Sequence, residues 1–61
     1  RPAFAFVPAH ILLLKSDFEG AIEMVRSVKE SISEQWTDSH QAIYEQFELA
    51  YNEKKIMPIR Y

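Results

Sequence analysis

Residues 8–36 read PAHILLLKSDFEGAIEMVRSVKESISEQW, and no other segment of the chain holds a period for so long. Ile11, Leu14, Phe18, Ala21, Val25, Val28 and Ile32 step alternately by three and four residues. That spacing lines side chains along one face of a helix. Pro8 suits a first helical position, because its φ is preset and its missing N–H would be unsatisfied there anyway. The stripe predicts a long helix over 8–36. It describes packing and carries no chemistry of its own.

Two local signals complicate that helix. Ser16-Asp17-Phe18-Glu19 fits the S-x-x-E capping box. A box there would start the main helix at Asp17 and leave residues 8–15 as a separate short helix. Alternatively, Val7–His10 is a turn and Ile11–Lys15 a strand, forming a hairpin with residues 4–7. The single glycine, Gly20, weakens a helix by about 1 kcal/mol relative to alanine and suggests a close helix approach or a slight kink.

Upstream, residues 1–7 read RPAFAFV. Phe4 and Phe6 alternate with Ala3, Ala5 and Val7, the period of an extended segment, and Val7 precedes a proline. An extended N-terminal arm is expected. Downstream, Thr37-Asp38-Ser39 groups cap and turn residues. The apolar phase changes there: Ile43, Phe47, Ala50 and Met57 replace the register of the first stripe, with Ala42, Leu49 and Ile56 beside them. This predicts a turn at 37–39 and a second helix over 39–57, with one long bent helix as the alternative. Pro58 ends the helix, and residues 58–61 form a tail in which Ile59 and Tyr61 could pair with Phe4 and Phe6.

Sixty-one residues make one small domain, whose core alone is marginal. With no cysteine there is no disulfide and no thiolate metal site, which fits a reducing, cytoplasmic-type compartment. Two histidines supply a structural metal poorly. By elimination a partner chain is the expected staple. The chain opens on Arg1 rather than Met, so residues upstream of it are expected. Net charge is −2, with both helical stretches acidic and Arg1, Lys15 and Arg60 placed in or near the end segments. Clustered Lys and Arg are what phosphate backbones require, so nucleic-acid binding is not the first reading. The run Ala3–Leu14 is apolar at ten of twelve positions, yet contains Pro8 and His10 and falls short of the roughly 20 residues a membrane span needs. No small-residue cleavage site follows it, so it reads as part of the fold and no membrane partner is expected.

Catalytic groups are scarce. His10 and His40 share no metal-ligand spacing, and Glu19/Glu23 and Glu30/Glu34 lie away from the apolar stripe, on a solvated face. There is no glycine-rich phosphate loop. The chain is therefore expected to have no catalytic site, cofactor or metal. Tyr44, Phe47 and Tyr51 recur at helical spacing ahead of Lys54 and Lys55, a pattern of core or interface, and Trp36 sits at the expected corner.

The expected fold is mostly α: an antiparallel two-helix hairpin with an extended arm, completed by dimerisation or a partner. Two stripes cannot cover all the apolar residues, and the partner-binding candidates are Phe4, Phe6, Leu12, Leu13, Trp36, Tyr44 and Tyr51. The expected function is association, as a homodimer, small adaptor or regulatory subunit. A small dimeric DNA-binding regulator and a fragment of a larger enzyme are the alternatives.

Overall fold

The computed structural model describes the backbone of residues 2–61 and the side chains of residues 4–61. Arg1, counted above among the end-segment cations, lies outside the described residues. The chain is mostly helical: α1 (Pro2–Leu14), α2 (Phe18–Ser31), a 3₁₀ turn over Ser33–Gln35, and α3 (Asp38–Glu53). The described residues contain no strand. Residues 54–61 fold back on the helices, and the whole measures 29 × 18 × 18 Å.

The expected extended arm is instead the first half of α1. Its Phe4/Phe6 alternation carries two helical faces rather than two sides of a strand. Phe6, Ala9 and Leu13, spaced i, i+3, i+7, point into the core and are fully buried. That burial, with the good helix formers Ala3, Ala5 and Ala9 around it, outweighs the break expected at proline. Pro8 therefore stands inside α1 rather than at its start. Its ring lies on the exposed side of the helix, where the unpaired Phe4 carbonyl costs least.

The single helix expected over 8–36 is two. The stripe crosses Ser16 without a change of phase, yet the chain turns there. Asp17 N–H donates to the Leu12 carbonyl (2.9 Å) and Ser16 N–H to the Leu13 carbonyl (2.9 Å), the paired bonds of a Schellman stop. Ser16 holds the left-handed conformation this stop needs, with φ 64°. The cap of α2 is consequently Asp17, one residue later than the capping box suggested. Asp17 Oδ1 accepts from Gly20 N–H at 3.0 Å. The space beside Gly20 is taken by the helix's own cap: a β-carbon there would crowd the Asp17 carboxylate.

The change of phase at Thr37–Ser39 does open a new helix. Thr37 caps α3, and His40 takes the place glutamate usually fills in a capping box. Thr37 N–H donates to His40 Nδ1 (3.0 Å) and His40 N–H to Thr37 Oγ1 (3.3 Å). Thr37 Oγ1 also lies 2.8 Å from His40 Nδ1, so the two side chains and two backbone amides close on each other. α3 ends at Glu53, short of the expected Met57. Lys54 enters the left-handed region (φ 53°), and Lys55 N–H closes back on the Ala50 carbonyl at 3.2 Å.

The core gathers Phe6, Ala9 and Leu13 of α1, Ala21, Ile22 and Val25 of α2, Ile43, Tyr44, Phe47 and Ala50 of α3, and Ile59 of the returning segment. Phe6 lies at its centre, stacked on Phe47 (6.0 Å between ring centroids) and edge-on to Trp36 (5.9 Å).

Candidate functional site

Among its described side chains, α1 is apolar on every side but for His10. Opposite the buried set, Phe4 (72% exposed), Val7 (45%), Ile11 (49%) and Leu14 (60%) form a second stripe at i, i+3, i+7 and i+10. Exposed Pro8 lies within the same arc. A helix that is hydrophobic all round belongs in an interior, and α1 has only half of one. The stripe repeats the 3–4–3 spacing of a coiled-coil seam and holds no charged side chain; Lys15 follows at its C-terminal end. Ile11 and Leu14, read from the sequence as the start of the core stripe, are thus on the outside.

The partner-binding candidates divide accordingly. Phe4 is on the exposed stripe. Phe6 and Leu13 are buried in the core, and Tyr44 is buried there with 8% of its surface left exposed. Leu12, Trp36 and Tyr51 are half-buried and packed against the core. Val7, Ile11 and Leu14 complete the exposed stripe but were not among the candidates. The signal that marks them is that residues 4–14 satisfy helical periodicity on two opposite faces at once.

Trp36 closes one end of the core. It stacks on His40 (5.1 Å, interplanar angle 25°) and meets Phe6 and Tyr44 edge-on. Its Nε1–H donates to Gln41 Oε1 at 2.9 Å, and Lys29 Nζ reaches the same oxygen at 3.3 Å. The Lys29 ammonium lies 4.8 Å from the Tyr44 ring centroid and 5.5 Å from that of Trp36, within cation–π range. With its indole N–H satisfied and its ring against Phe6, Lys29, His40 and Tyr44, Trp36 joins α1, α2 and α3 and serves as a structural clasp.

An open cleft of about 360 Å³ beside this clasp is lined by Arg26, Lys29, Glu30, Ser33 and Tyr44. It contains no nucleophile paired with a base. Among the described residues no group of three or more His, Asp or Glu side chains converges to hold a metal. No described helix is long and apolar enough to cross a membrane. Comparison with protein-family models, curated proteins and solved structures gave no match to this chain.

Proposed function

We propose that this chain is a non-catalytic helical association module that docks through the outer face of α1. The observation that carries the reading is the exposed stripe Phe4–Val7–Ile11–Leu14. Contiguous exposed apolar side chains are what interaction surfaces are made of, and i, i+3, i+7 anchors are how a helix enters an apolar seam. The occupant that fits most simply is a second copy. A stripe without charge is self-complementary across a two-fold axis, and it lets two chains of net charge −2 meet without carboxylate facing carboxylate. Two α1 helices of 13 residues, each about 20 Å long, bury less than the roughly 1,200 Å² of a standard interface. The dimer is accordingly concentration-dependent, as suits an adaptor or regulatory subunit.

Sedimentation velocity over a micromolar to millimolar range tests this. The wild-type chain shifts from monomer to dimer. Ile11→Glu, on the exposed stripe and clear of the core, keeps its helical circular dichroism and stays monomeric. A wild-type chain that remains monomeric throughout overturns the self-association reading, and retention of dimer by Ile11→Glu overturns the stripe as its seat.

A further inference from the structure

The returning segment is bound rather than merely folded. Gln46 on α3 grips the backbone of Arg60 at two points: its side-chain Oε1 accepts from Arg60 N–H at 2.6 Å, and its Nε2–H donates to the Arg60 carbonyl at 2.7 Å. On either side of this grip, Ile59 is buried in the core and Tyr61 hydroxyl meets His10 Nδ1 on α1 at 2.6 Å. The Tyr61 ring sits 5.8 Å from the His10 ring, which is itself edge-on to Phe47. Arg60, between them, is exposed. A side-chain amide reading the main chain, with alternate residues held by an apolar pocket and by a polar contact, is how an extended peptide is recognised.

We propose that the cleft between α1 and α3 is a recognition groove for an extended Ile-x-Tyr peptide, filled here in cis by residues 59–61 and open to the same sequence in trans. The hold on the cis segment is slight. Lys54, Lys55, Ile56, Pro58 and Arg60 are all exposed, so release uncovers one buried side chain, Ile59, and the half-buried Met57 that packs against the core, and breaks three polar contacts. Segments with few buried contacts open first. The groove uses none of the exposed α1 stripe, so the proposal stands apart from the association reading above.

The test uses the isotopically labelled full chain carrying Tyr61→Ala, which removes an exposed side chain and loosens the cis segment. The probe is the unlabelled peptide Met-Pro-Ile-Arg-Tyr. The expected result is that the substitution shifts the His10 imidazole signal, and that millimolar peptide, the range of effective concentration a short tether provides, returns it toward its wild-type position. The Gln46 side-chain amide moves with it. The same peptide with alanine for isoleucine binds at least roughly tenfold more weakly. Should Tyr61→Ala not fold, Tyr61→Phe keeps the ring and loses only the hydroxyl, and the same two signals are read. A folded chain whose His10 and Gln46 signals stay fixed up to about 10 mM peptide overturns the proposal, as does equal binding of the alanine peptide.

Discussion

Ser16 occupies a conformation that favours glycine. At φ 64° its β-carbon crowds the backbone, while its amide makes one of the two bonds that stop α1. Ser16→Gly is expected to raise the unfolding free energy by about 0.5–1 kcal/mol in urea titrations. A loss of stability would mean that the serine hydroxyl has a partner the geometry does not show. Next to it, Asp17 and Gly20 act as one unit. Asp17→Ala removes the cap and is expected to cost about 1 kcal/mol. Gly20→Ala gains helix propensity of similar size but pushes its β-carbon into the capping carboxylate, so it comes out near neutral. The cycle separates the two effects: in the Gly20→Ala background, Asp17→Ala is expected to cost little, because the cap is already displaced. Equal costs in both backgrounds would show that the carboxylate and the glycine are uncoupled. The cap of α3 was legible because Thr37 opens both a cap cluster and a new apolar phase. The cap of α2 was misplaced because Ser16 and Asp17 are both good caps. What decides between them is the Schellman turn that ends α1, a bond pattern spanning both elements and invisible to a local motif.

At the scale of the element, α1 is where sequence and structure part most. The period-2 reading of Phe4 and Phe6 and the period-3.6 reading of Phe6, Ala9 and Leu13 both fit the letters. Pro8 tipped the choice toward an extended arm. Tertiary burial reversed it, since Phe6 and Leu13 are worth more inside than a proline costs. The outer stripe made α1 harder still to place. His10 is the one polar residue among apolar neighbours and is too little to say which side is in, so Ile11 and Leu14 joined the core stripe of α2 by phase alone. Pro8 remains a local conflict within α1. Pro8→Ala restores the N–H that the Phe4 carbonyl lacks and is expected to stabilise the chain by about 1–3 kcal/mol, less the roughly 0.4–1 kcal/mol by which proline restrains the unfolded chain. Thermal unfolding by circular dichroism measures it. If Pro8→Ala is instead destabilising, the proline shapes α1 for a purpose other than stability, and the exposed arc it occupies is the place to look.

At the scale of the molecule, the three helices leave one side of the core for residues 54–61 to cover. No local pattern foretells this, because Gln46 and Arg60 are brought together only by the reversal at Lys54. Tyr61 makes the closure sensitive to alkali. Burial raises its phenol above the ordinary value of 10.0. The folded chain therefore keeps this proton at pH values where the unfolded chain has lost it. The contribution of the docked tyrosine is complete below the unfolded value and fades as pH rises through the raised one. Tyr61 stays largely solvent-exposed, so the effect is local: the segment is expected to leave His10 while the helices persist. A pH titration from about 9 to about 11, following the His10 imidazole by NMR and helix content by circular dichroism, would resolve the two events. Tyr61→Phe isolates the phenol: it lacks the alkaline step at His10 while keeping whatever change other groups cause. An identical alkaline step in Tyr61→Phe would assign the release to groups other than the phenol, and the contact between Tyr61 and His10 would then have no part in holding the segment.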